Sequence, residues 1–403
     1  MLKFKASAMV AACILALAAC GQQQVDTPAQ TDNNKSDQSA ASPAPASDVK
    51  VVIATANPLT GPFAHWGKDA ADGVKLAVDE ANAKGLQWNG QNVHFEFISE
   101  DDQGDPKTAV TVAAGFVDKK VNVVVGHLTT GPSMAASKTY DENGIPEIVY
   151  SVTGPDFTNQ GFKGAFRVIA NDNQQGVALA DYAVNKLGVK KFAVVQDKTA
   201  YGEGLANSFA QSAKDAGAEL IDTQYTTNSA TEFGAIVTAL KTSNPDLVFY
   251  GGMDAQAAPL LREMRRQGLT AKFMGADGVQ TPEFLKLSKE AAEGAFASTT
   301  GMPKEQMPGY ATFNEAYQKA YNQEVVAYSP YAYDATNVII EAMNQAQSGE
   351  PEKYLPKLAA IDYQGVTGRI QFQANGDIQN GVVTLYEGKM DAESKEVKWE
   401  VLQ

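Results

Sequence analysis

The sequence predicts an α/β protein built on doubly wound parallel sheets, and three observations carry that expectation. Short apolar runs rich in β-branched residues recur at 50–54, 93–98, 122–125, 148–150, 191–195, 246–250 and 272–274, each bounded by turn-forming residues. Between them lie segments with apolar residues at helical spacing. In 68–84, Ala70, Gly73, Val74, Ala77, Val78 and Ala81 share one face. Such alternation is the pattern of βαβ units, whose crossovers are right-handed. Finally, the roughly 355 residues after residue 48 exceed what one core usually encloses, so two lobes are expected.

At its start the chain carries Lys3 and Lys5, an apolar run from Ala6 to Ala16, and then Leu17-Ala18-Ala19-Cys20. The run is short for a membrane span and is placed like a secretory hydrophobic region. Its ending resembles the lipobox of bacterial lipoprotein signal peptides, which implies removal of residues 1–19 and diacylation of Cys20. A plain secretory signal that contains a cysteine is the alternative. Cys13 would leave with the signal, so the folded part is expected to have no disulfide and no cysteine metal ligand. Residues 22–48 are mostly Gln, Ser, Ala, Pro and Asn and read as a disordered tether.

The strand at 50–54, the helix at 68–84 and the strand at 93–98 make a first βαβ unit, and a helix at 108–119 follows. The stretch 121–156 then organises the rest. Its β-branched run ends at Gly126 and gives way to Thr129, Thr130, Gly131, Pro132 and Ser133. A helix over 133–142 stops at Gly144, and Ile148-Val149-Tyr150 runs into Ser151, Thr153 and Gly154. Two neighbouring strands thus end in hydroxyls and small residues. In open parallel sheets ligands sit outside the carboxyl ends of the strands, where N–H groups, helix N-termini and hydroxyls can meet an anion. Ordinary caps and turns are the plainer alternative. Strand-like runs continue at 191–195, 219–225, 246–250 and 272–274, with helices between. After residue 297, helices at 309–322, 330–346 and 352–359 precede strands at 369–372, 382–386 and 397–401.

The formal charge is −14 without a basic block, which argues against nucleic acid and anionic lipid as partners. Beyond the N-terminal segment no apolar run is long enough to span a membrane. Three histidines, at 65, 94 and 127, lack paired spacing, and there is no HExxH, GxSxG or Walker A sequence. Gly202 and Gly204 are followed by Asn207, so the third glycine of a dinucleotide fingerprint is missing. Metal, cofactor and catalysis are therefore not expected.

From residue 49 onward the chain resembles the periplasmic branched-chain amino-acid-binding proteins, the substrate-binding components of ABC importers. The carrying motifs include Leu59-Thr60-Gly61-Pro62 with Trp66-Gly67, Asp101-Asp102 with Asp105-Pro106-Lys107, and Gly126-His127-Leu128. Further motifs are the run from Ser151 to Pro155, Tyr201-Gly202-Glu203-Gly204, Tyr250-Gly251-Gly252, and Phe273-Met274-Gly275 with Asp277-Gly278. The resemblance implies the periplasmic-binding-protein fold, with two doubly wound lobes joined by three crossing strands near Asn171, Thr300 and Val382. Lobe 1 would comprise 49–171 with 301–382, and lobe 2 would comprise 172–300 with 383–403. It also implies a periplasmic monomer, attached to the membrane only through its lipid, that delivers an aliphatic amino acid to permease subunits.

In that resemblance Thr130 and Thr153 would hold the α-carboxylate, Ser151 would offer main-chain groups, and Asp277 would hold the α-ammonium. Trp66, Leu128, Tyr201, Met253 and Tyr328 would line the side-chain pocket. A zwitterion needs such a division, because an unpaired charge in a closed cleft is costly. The chain departs from the pattern in several places. Asp277 stands where leucine-binding members carry glutamate, and Gly131-Pro132 replaces a hydroxyl run. Gly104 and Thr129 stand where some members have a disulfide, and Met253 where an aromatic is common. Relatives with this fold also bind amides, urea or aromatic acids, as importer components or sensors, which leaves that ligand class as the alternative.

Overall fold

The computed structural model describes residues 48–402; the expected signal, Cys20 and the tether up to residue 47 lie outside the described residues. One sheet holds β1 (Val49–Asn57), β2 (Gln87–Trp88), β3 (Gln91–Asp101), β4 (Val123–Val125), β5 (Glu147–Val149) and β6 (Ala165–Arg167), in the order β2-β3-β1-β4-β5-β6. A second begins with β7 (Lys191–Gln196), β8 (Glu219–Tyr225), β9 (Leu247–Gly251), β10 (Lys272–Met274) and β11 (Ala295–Thr299). After β12 (Tyr363–Gln364) and β13 (Arg369–Ile370) pair as a separate small sheet, β14 (Thr384–Met390) and β15 (Val397–Val401) rejoin it. Its order is β15-β14-β11-β10-β9-β7-β8.

Both sheets are covered on both faces, which is why their strands read as continuous apolar runs. Val51, Ile53, Val123 and Val125 point into one core, against helices Ala64–Lys84 and Ser329–Ala346. Val52, Ala54 and Val124 point the other way, against Pro106–Asp118 and Thr130–Glu142. Each fully buried valine of β4 contributes about 1.5–3 kcal/mol. The second sheet alternates likewise, with Phe192, Val194, Leu247 and Phe249 on one face and Ala193, Val195, Val248 and Tyr250 on the other.

The sheets are parallel, as expected, except at one edge of each, where β2 pairs antiparallel with β3 and β14 pairs antiparallel with both β11 and β15. A hairpin needs only a short turn, so β14 and β15 can extend the edge without a crossover helix. The strand expected at 382–386 begins at Thr384, because its ladder starts opposite Thr299 and continues along β15 to Met390. The strand expected at 369–372 is reduced to β13, outside both large sheets. The helix expected at 133–142 starts at Thr130. Segments 168–171, 300–302 and 381–383 carry the chain between the large sheets and are irregular, not strands. Ala170 N donates to Thr300 O at 3.4 Å, and a Cβ on Gly381 would fall 2.9 Å from Ala170 Cα, so the three lie side by side without a ladder.

Candidate functional site

Parallel strands send their carboxyl ends to one edge. In each large sheet the strand order reverses there, between β1 and β4 in the first and between β7 and β9 in the second. The loop after β4 supplies Leu128, Thr129 and Thr130, and the loop after β5 supplies Ser151. From the second sheet, Tyr201 follows β7, Met253 follows β9 and Asp277 follows β10. Together with Trp66, from the first turn of helix Ala64–Lys84, and Tyr328, just before helix Ser329–Ala346, these residues line one narrow cavity. Among the residues named from sequence, Thr153 does not line it. It is fully buried, and its carbonyl accepts from Asp172 N at 2.9 Å.

One end of the cavity is built from donors. Helix Thr130–Glu142 begins at its wall, and Thr129 makes no side-chain cap, so the first amides are left for another acceptor. Pro132 removes one donor from that turn. Thr130 fits because residue 154 is glycine: a Cβ there would lie 2.5 Å from Thr130 Cγ2, and Gly154 N donates to Thr130 Oγ1 at 3.4 Å. Ser151 Oγ donates to Leu128 O at 2.7 Å, joining the two loops. The second loop is held from behind by Arg167, which is fully buried. Its Nη1 donates to Val152 O and Gly154 O at 3.1 and 2.7 Å, and its Nε and Nη2 donate to Asp377 Oδ1 at 2.8 and 2.6 Å.

The opposite end is acidic. Asp277 accepts from Gln175 Nε2 at 2.8 Å, Tyr201 OH at 2.9 Å and Tyr328 OH at 3.1 Å, and Tyr201 OH itself accepts from Gly278 N at 3.0 Å. Gln175 Nε2 also donates to Asp172 Oδ1 at 3.1 Å, while Gln175 Oε1 accepts from Ser298 Oγ at 2.7 Å. Asp172 Oδ2 and Thr153 Oγ1 are buried without a hydrogen-bond partner. Burial pushes the Asp277 carboxyl up, against the pull of Gln175, Tyr201 and Tyr328. Asp172 is pushed up to about 8, first by burial and then by the charge of Asp277. Among the described residues no lysine, arginine or histidine forms an ion pair with either carboxyl. The charge of Arg167 eases Asp172 only in part, and Asp277, which lines the cavity, faces the helix amides and hydroxyl across it, an arrangement complementary to a small zwitterion.

The side walls are apolar. Trp66 is buried, stacks on Phe63 at 6.2 Å and meets Tyr328 edge-on at 6.0 Å, while Leu128 and Met253 complete the lining. Tyr328 is fixed by Asp69, whose carboxylate accepts from the backbone N–H groups of Val326, Ala327, Tyr328 and Ser329 and from Ser329 Oγ. Sequence reading missed Asp172, Gln175 and Arg167 as parts of the site. The run Asn171-Asp172-Asn173-Gln174 reads as a capping box, which it is, and that local role hides the carboxylate beside it. No group of three or more His, Cys, Asp or Glu among the described residues is placed to hold a metal, and no helix there is long and apolar enough to cross a membrane.

The periplasmic binding protein family profile matches residues 50–393. A leucine-, isoleucine-, valine-, threonine- and alanine-binding protein of Pseudomonas aeruginosa is 34% identical over 351 residues, covering 86% of this chain and 92% of its own. The Leu/Ile/Val-binding protein homolog 2 of Brucella abortus is 31% identical over 346 residues, covering 86% and 92%. Among solved structures, a leucine-binding protein of Thermotoga maritima superimposes with a TM-score of 0.78 at 27% identity, covering 88% of this chain and 99% of its own. The Streptococcus pneumoniae branched-chain amino acid transporter substrate-binding protein, in complex with isoleucine, gives 0.75 at 26% identity, covering 88% and 99%.

Proposed function

Because the chain belongs to the periplasmic binding protein family, we propose that it is the extracytoplasmic substrate-binding component of an ABC importer, taking a small aliphatic amino acid and delivering it to permease subunits. One observation carries the ligand class: Asp277, buried, held by three donors and lacking a cationic partner, beside Asp172. A ligand ammonium supplies the missing charge, and its carboxylate meets the amides and hydroxyl at the start of helix Thr130–Glu142. Trp66, Leu128, Tyr201, Met253 and Tyr328 enclose the side chain, with Ser151 and Thr153 supporting the donor end. The relatives named above, which bind leucine, isoleucine or valine, support the aliphatic reading. The two large sheets are the cores of lobes 49–171 with 301–382 and 172–300 with 383–403. Residues 1–19 act as the signal, and Cys20, lipidated, anchors a periplasmic monomer.

Titration calorimetry with leucine, isoleucine, valine, alanine and phenylalanine tests the reading. Asp277→Asn keeps the shape and removes the charge, costing about 2–5 kcal/mol by analogy with truncated buried charge pairs, or roughly 30-fold to several-thousand-fold in affinity. Unchanged affinity would remove Asp277 from the site. Binding of none of these amino acids by the wild type would transfer the assignment to amides, urea or aromatic acids. For the anchor, Cys20→Ala should abolish acyl mass while leaving a folded domain, and acylation persisting in the variant would overturn that part.

A further inference from the structure

Beneath the donor end of the cavity lies a layer of buried polar side chains that do not line it. His127 is fully buried, with Nδ1 2.6 Å from Asp102 Oδ2 and Nε2 3.0 Å from Tyr140 OH. Asp102, equally buried, accepts from Gly104 N at 2.8 Å with its other oxygen, and its own N–H donates to Asn57 O at 3.0 Å. One proton is shared between the two side chains, and the ring spans from Asp102 to Tyr140. Tyr140 is raised by burial and by the charges of Glu147 and Asp102, which keeps it a phenol facing Nε2. Nearby, Ser133 Oγ donates to the buried Glu147.

The position of this layer gives it meaning. His127 is followed directly by Leu128, Thr129 and Thr130, three consecutive lining residues, and the helix whose Tyr140 meets the imidazole is the one that begins at Thr130. His127 thus ties the segment just before that helix, and the helix itself three turns along at Tyr140, to Asp102 at the end of β3. An apolar filling of similar shape would exclude water as well and would avoid the cost of burying ionisable groups. What a bonded imidazole adds is a fixed direction for the backbone on either side of it. We propose that His127 is a positioning residue for ligand carboxylate recognition, setting the aim of the amides and hydroxyl at 129–131 through Asp102 and Tyr140. This rests on the reading that the carboxylate meets that helix start.

The test compares leucine with leucinamide, which keeps the ammonium and side chain but lacks the carboxylate. In the wild type, calorimetry should show leucine bound more tightly. His127→Leu should weaken leucine by about tenfold or more, the size expected for hydrogen bonds to a charged group, while leucinamide changes little, so the ratio collapses. His127→Gln, which can still bond to Asp102, should recover most of the ratio. If His127→Leu does not fold, Tyr140→Phe is read in its place and should lower the ratio in the same direction. A fall in Tm with an unchanged ratio, or equal weakening of both ligands, would overturn the proposal as merely structural. Equal affinity for leucine and leucinamide in the wild type would overturn the carboxylate reading itself, and the proposal with it.

Discussion

Asp172 is the residue whose protonation should be visible in the whole protein. Its carboxyl is pushed up to about 8 in the fold, by burial and then by Asp277, whereas an unfolded aspartate titrates near 4. A raised folded value means that the proton stabilises the native state. The contribution is complete below about pH 4 and is lost as pH rises through about 8. The ligand-free Tm should therefore fall over this window. The rise in Tm produced by an amino acid should grow, because its ammonium, paired with Asp277, adds positive charge close to the newly ionised group. Asp172→Asn should flatten both trends in a pH series of thermal melts, and an unaltered series would show that other groups govern them. Asp172 was not legible beforehand because its significance depends on Asp277 and Gln175, brought together only by tertiary structure. The place of Asp277 was legible because the apolar run at 272–274 ends just before it, whereas its part in binding was implied by the family resemblance alone.

The legible elements were those whose register lies in their own sequence. The valines at 123–125 are buried on both faces, and helix Ala64–Lys84 carries an unbroken apolar face, so local pattern and final environment agree. The short β6 carries Arg167 in its three residues, and the extent of β14 is set by β11 and β15; neither is written in a local period. Helix Ser329–Ala346 shows a further dependence, since the segment leading into it receives its cap from Asp69, about 260 residues earlier in the chain. Asp69→Ala should remove that cap and strand several buried amides, costing upward of about 2 kcal/mol. A fall in the denaturation midpoint accompanied by loss of affinity through misplaced Tyr328 would agree with this. A stable variant with displaced Tyr328 would show the cap to be dispensable for folding, and unchanged values of both would refute the account.

On the scale of the molecule, the hydrogen bond from Tyr328 to Asp277 joins a residue before helix Ser329–Ala346, which packs on the first sheet, to a loop of the second. A ligand bonded at both ends of the cavity favours whichever arrangement brings those ends together. Small-angle scattering should give a smaller radius of gyration at saturating amino acid than without it, and Asp277→Asn should respond less. Identical profiles would argue against closure. The three side-by-side passages at 168–171, 300–302 and 381–383 add a redundancy to the design. A protease that severs one of them cuts the polypeptide into two pieces, yet each piece stays threaded through both halves or remains embedded in them. The nicked protein should run as fragments on a denaturing gel and as a single particle in native chromatography, keeping its alignment on the two passages still intact.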